Sequence, residues 1–203
     1  MKFSIAAGPK QTARRDTAMM PIVAALFAMP ARRALAFLAV CVGLLSSAGV
    51  HADEAAEVRA LVSRGDLVNA LARVERAAAA SPRDVQLRFL QGVVLMDLRR
   101  DDEALAHFTR MTQDYPELPD PYNNIALLQA RGGRLEQARQ ALDAALRNDP
   151  THRTARANLG QVHLMLAVQA WELATAGGPV DSTLQRKLEA ARTLLAQGTP
   201  GGR

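Results

Sequence analysis

The chain has 203 residues, of which 49% are apolar, 22% charged and 4% aromatic. That much apolar side chain excludes a fully disordered protein, and few aromatics with abundant Ala and Leu favour helices over a β-sandwich or barrel. A single cysteine excludes a disulfide framework and a multi-cysteine zinc site, while a formal charge of +5 raises nucleic acid as a partner.

The position of the charge answers that question. Residues 1–52 hold Lys2, Lys10, Arg14, Arg15, Arg32 and Arg33 against one acid, Asp16, so basic and acidic residues balance over 53–203. A neutral remainder has no basic excess to neutralise phosphates, and nucleic acid is rejected as the partner. Residues 1–52 read as a leader with a secretory signal. Arg32 and Arg33 are the positive flank. Ala34 to Val50 is an unbroken run without a charge, and Val50-His51-Ala52 offers a small-x-Ala cleavage site before Asp53. Periplasmic export with cleavage after Ala52 is the expectation. The alternative is an uncleaved inner-membrane anchor, because such a run is near the short limit of a span, about 17 residues. Cys41 lies mid-run behind a valine, which argues against lipidation. Residues 1–28 exceed what a signal needs, so translation is expected to start at Met29, or at Met19 or Met20.

Beyond the leader the sequence repeats. Pro82, Pro116 and Pro150 are evenly spaced, and Ala70, Ala104 and Ala138 recur at the same step, as do Val74, Phe108 and Leu142. Val58, Gly92, Ala126 and Gly160 continue the period. Each period reads as a helical hairpin. Leu87, Leu90, Val94, Leu95 and Leu98 form one apolar stripe, and Ala104, Leu105, Phe108 and Met111 a second, with a break at Arg99-Arg100-Asp101. Gly65-Asp66 and Gly132-Gly133 stand at the same break in the neighbouring units, where glycine eases the reversal. Asp120-Pro121 reads as a side-chain cap followed by proline at the first helical position. Small residues at 92, 126 and 160 are expected to let paired helices cross closely.

The fourth period departs from the others. It shows no turn signal after Gly160, so one helix is predicted from about 151 to 176 with Trp171 packed near its end. Gly177-Gly178-Pro179 stops it. Ser182-Thr183-Leu184-Gln185 reads as a capping box. Leu184, Leu188, Ala191 and Leu195 give the final helix one apolar stripe. The organisation expected is a leader over 1–52 and a repeat domain over 53–176, with units of about 51–84, 85–118, 119–152 and an irregular 153–176. A Gly/Pro break at 177–181 and a C-terminal capping helix at 182–197 follow.

These residues resemble the tetratricopeptide repeat, which has about 34 residues per unit, a small residue in the first helix, Ala-x-x-x-aromatic/aliphatic in the second and a closing Pro. The match is strongest over 92–150 and covers about 51–176. More narrowly, the segments PELPDPYNNIA and LGQVHLMLAVQAWELA resemble small exported members of the family in proteobacteria. The resemblance implies an all-α solenoid of stacked antiparallel hairpins that binds protein partners. The large residue usual near the start of the first helix is Tyr122 in the third unit, but Glu54, Arg88 and Arg156 elsewhere.

No catalytic constellation is visible. His107, His152 and His163 fall in different units without metal-ligand spacing, and His163 is expected in a core or interface. Asp101-Asp102-Glu103 reads as an acidic first turn that offsets the helix dipole. No elbow, phosphate loop or dinucleotide fingerprint occurs, so the chain reads as a non-enzyme without cofactor or metal. The working surface is then a groove lined by first helices. It is expected to use Phe89, Val93, Met96 and Asp97, then Asn123, Leu127 and Arg131, then Ala157 and Gln161. Asn124 is the one match to the carboxylate-clamp form of the family. Phe89 and Val93 stand where that clamp needs Lys and Asn, which argues against it. The functional expectation is a periplasmic interaction module, adaptor or scaffold in envelope assembly or secretion, monomeric or weakly oligomeric. An anchored scaffold, an enzyme accessory subunit, and self-association through 182–197 are the alternatives.

Overall fold

A computed structural model describes residues 54–178 and 181–197. The leader, and with it the proposed cleavage site, lies outside the described residues. Eight helices and no strand occur among those described: α1 (54–63), α2 (Leu67–Ala80), α3 (Val85–Asp97), α4 (Asp101–Asp114), α5 (Pro119–Arg131), α6 (Leu135–Asn148), α7 (Arg153–Ala176) and α8 (Ser182–Gln197). The described chain divides into two compact units, 54–94 and 95–197, with the division inside α3.

The reversals inside the hairpins share one geometry. Gly65, Arg99 and Gly133, each one period from the next, all adopt the left-handed conformation, with φ of 76°, 61° and 75°. Their N–H groups donate to Val62, Met96 and Ala130, and the following N–H groups reach Leu61, Leu95 and Gln129. This pair of bonds satisfies carbonyls that the helix end leaves bare. Two of the three positions are glycine, and the third is an arginine held where a Cβ is unfavourable.

Helix starts also follow the period, but each solves its cap differently. Asp84 Oδ1 accepts from the backbone N–H of Gln86 and Leu87 at 2.9 and 3.1 Å. Leu118 has no capping side chain; Pro119 follows it at the first position, where a missing N–H costs nothing. His152 Nδ1 accepts from Ala155 N–H at 3.0 Å. The cap expected at Asp120-Pro121 is therefore corrected: α5 begins two residues earlier, and Asp120 is a buried member of its first turn. The α8 cap is corrected too. Asp181, not Ser182, stands before the helix, and its carboxylate accepts from the backbone N–H and hydroxyl of Thr183, which hold it below the usual carboxylate range.

In the unit 54–94, Ala70, Leu71 and Val74 form the buried stripe of α2. Arg73 ties α2 to α1 by bonds to Glu54 and Glu57 at 3.1 and 2.6 Å. Glu54 thus makes a polar link at the position where the family places a large residue; partly exposed pairs of this kind contribute about 0–1 kcal/mol. Arg88, at the same position one unit on, lines an open notch of about 480 Å³ with Ala78, Ala79 and Pro82.

In the unit 95–197, α5, α6 and α7 pack around Ala126, Ala130, Leu135, Ala138, Leu142, Ala145, Ala155 and Val162, with Tyr122 against this core. Helix α7 runs 24 residues without a turn, and α8 folds back on its second half. Val168 meets Leu188 and Ala191 there, with Leu164, Trp171 and Leu195 at the edge, and Arg192 bonds Glu172 at 2.8 Å. Two expectations fail in α7. Gly160 is exposed and has nothing within 4 Å of where a Cβ would stand, so close crossing does not require it. His163 is exposed rather than in a core or interface, because α7 turns that position outward.

The left-handed column generates a prediction. Gly133→Ala should lower unfolding free energy by about 1 kcal/mol, whereas Arg99→Gly should raise it by several tenths to about 1 kcal/mol. Denaturant titration of the two variants measures both signs.

Candidate functional site

Helix α5 carries the polar groups that the fold leaves least satisfied. Its spacing sets Asn123 and Asn124, then Leu127, then Arg131 at successive turns on one side. Asn123 and Asn124 are completely buried and Leu127 is 2% exposed, while Arg131 reaches solvent. Asn158 of α7 donates from Nδ2 to Asn123 Oδ1 at 2.9 Å, which ties the first helices of consecutive units together. Asn123 Nδ2 and both amide atoms of Asn124 have no hydrogen-bond partner among the described residues. A buried amide left bare costs about 1–3 kcal/mol per group.

The other end of the stripe is ionic. Arg131 Nη1 bonds Asp101 Oδ1 at 2.5 Å. Asp97, one period before Arg131, is partly buried, and no hydrogen bond reaches its carboxylate among the described residues. Burial holds that carboxyl above its ordinary value, and the Arg131 guanidinium opposes the shift only in part. Asp101 is therefore more than the first-turn acid read from the sequence, although it does occupy the first turn of α4.

The remaining predicted residues separate. Met96 is buried near the end of α3, and Gln161 is half-buried on α7 one turn past Asn158. Ala157 is exposed. Phe89 is buried and Val93 half-buried in the unit 54–94. Two residues of this region escape the sequence reading. Asn158 carries a usable signal, since it stands one period after Asn124. His152 carries none: its Nε2 donates to Asp120 Oδ1 at 3.0 Å, because Nδ1 is already the acceptor that caps α7. Among the described residues no group of three His, Cys, Asp or Glu could hold a metal ion, and no helix is long and apolar enough to cross a membrane.

Comparison with known proteins agrees with this architecture. The tetratricopeptide repeat family model matches residues 55–119 and 123–174. The chain belongs to the tetratricopeptide repeat family, and its fold is the all-α tetratricopeptide solenoid. The Sgt2 repeat domain from Aspergillus fumigatus is similar with a TM-score of 0.54 and 13% identity, over 65% of this chain and 87% of that one. MamA from Desulfovibrio magneticus gives 0.51 and 16%, over 74% and 78%. The first repeat domain of Spaghetti (RPAP3), solved bound to an HSP90 peptide, gives 0.52 and 14%, over 58% and 93%. At these identities the likeness is one of fold. Among curated proteins none matches.

The bare groups predict an unusual pair of stability effects. Asn124→Leu should raise unfolding free energy by about 1–2 kcal/mol, since it removes an unpaired buried amide at nearly constant volume. Asn123→Leu should not share that gain, because it breaks the bond to Asn158. Asp97→Asn should raise Tm at pH 7. The folded chain holds the Asp97 proton more tightly than the unfolded chain, so stability falls as pH rises through the carboxylate range. The gain should vanish below pH 3.8, where both states are protonated. Thermal unfolding at the two pH values checks the sign.

Proposed function

We propose that this protein is an exported interaction module that docks a segment of a partner protein along α5 and the first half of α7. The observation that carries the reading is the tetratricopeptide solenoid itself, matched over residues 55–119 and 123–174. Leu127 of α5 supplies the apolar contact. Asn158 fixes the Asn123 side chain, so little ordering cost remains at binding. The peptide seated on the similar Spaghetti domain supports a peptide occupant for this fold. The mechanism is equilibrium docking with no covalent step.

The location forms part of the same proposal. The positive flank, the uncharged run Ala34 to Val50 and the Val50-His51-Ala52 site support export to the periplasm with cleavage before Asp53. A neutral, cysteine-free remainder suits that compartment and a holding role in envelope assembly or secretion. Sequencing the amino terminus of the protein taken from cells tests this part. Asp53 as first residue is the expected result, and an intact leader would instead make the protein an anchored scaffold.

The binding reading is tested by chemical crosslinking in cells. Asn124→Leu should reduce the yield of the main crosslinked partner by at least about tenfold while the variant stays folded. Gln140→Ala, on the exposed side of α6, should leave the yield unchanged. Equal yields from both variants would contradict the proposal.

A further inference from the structure

One member of the small-residue column has no helix beside it. In the third unit Ala126 of α5 shares a core with Ala138 of α6, so that hairpin crosses at small side chains. Gly160 stands one period later, and it is exposed, with nothing within 4 Å of where a Cβ would stand. The chain that would form a second helix there continues straight into the second half of α7. Helix α8 then packs further along, on Val168, with Trp171 at the edge of the contact.

Helix spacing shows what borders this open face. Residues nine apart project in roughly opposite directions, at about 100° per residue. His163 and Glu172 are such a pair, and Glu172 bonds Arg192 of α8 at 2.8 Å. That bond marks one side of the α7–α8 pair, so Gly160, His163 and Ala167 lie on the other. Ala190 and Leu194 project from α8 away from Arg192, onto the same side as Gly160, and Leu194 is 57% exposed. The apolar positions are bordered by cations. Arg156 is one turn before Gly160 and Lys187 one turn before Ala190, and both are exposed. Arg156 donates to the Pro150 carbonyl rather than to a carboxylate. Acids on the surrounding helices are already paired, Glu136 with Arg139 and both Glu172 and Glu189 with Arg192.

We propose that this side of α7 and α8 is a second docking surface, separate from the α5 side, and that its occupant is an acidic amphipathic helix of a partner protein. Glycine at the crossing lets a helix backbone approach closely. The incoming helix takes the place beside Gly160 that α6 takes beside Ala126. Its apolar face covers Ala167, Ala190 and Leu194, and its carboxylates meet Arg156 and Lys187. A second copy of this chain fits less well, because a two-fold contact sets the same cations against one another.

The test uses the purified full chain as bait for displayed helices on a rigid scaffold, randomised along one face. Retained helices should carry Asp or Glu beside an apolar stripe. Gly160→Phe and Leu194→Glu should each weaken them at least about tenfold. Both variants should keep the helical signal and melting temperature of the wild type, since both positions are exposed. Arg156→Gln and Lys187→Gln should each weaken them about threefold to fivefold and reduce the salt dependence. Asn124→Leu should retain the same helices as the wild type. Retention that survives both Gly160→Phe and Leu194→Glu, retained helices without acidic residues, or no retained helix would overturn the proposal. Loss of the helices in Asn124→Leu would mean one surface rather than two, and would overturn it as well. So would a wild-type dimer in sedimentation that Gly160→Phe converts to monomer, since the occupant would then be a second copy.

Discussion

Close packing through alanine is the constraint on which the unit 95–197 depends. Ala126 of α5, Ala138 and Ala145 of α6 and Ala155 of α7 are all buried in one core, where larger side chains would push the helices apart. Leu142 and Val162 fill the space that remains. Alanine loses no rotamer freedom on burial, so this contact is made at low entropic cost. A hairpin cannot cover its own apolar face, and the consequence is that α5 and α7 must lie side by side. That neighbourhood brings Asn158 onto Asn123 and His152 onto Asp120.

The candidate site is a local departure from the economy of that core. Each bare amide and the partly buried Asp97 carboxylate cost stability, and the surrounding alanine packing tolerates them. Such costs collect where a protein holds groups ready for something outside itself. The opposite directions expected for stability and binding at Asn124 express this relation. A purely structural asparagine would move both in the same direction.

Much of the fold was legible because a constant period turns single residues into columns. The proline, alanine and 74/108/142 columns placed the hairpins, and the missing turn after Gly160 announced the long α7. What stayed hidden depends on geometry that no column encodes. Arg99 occupies a left-handed position held by glycine in both neighbours, and only the backbone bonds to Met96 and Leu95 reveal it. Gly160 belongs to the small-residue column yet is exposed, because the second half of α7 continues straight where other units turn back. The candidate stripe was legible as a helix face, but not its burial or its pairings. The Arg131–Asp101 bond joins two residues whose separation does not match the period.

The central claim is that the shared side of α5 and α7 receives a partner segment. A photocrosslinking residue at Gln161 in living cells tests it most directly, with a matched probe at Gln140 on the exposed side of α6. The account predicts a discrete product at Gln161 that is absent at Gln140 and lost when Asn124 is replaced by leucine. Products confined to Gln140, or a Gln161 product indifferent to Asn124, would contradict it.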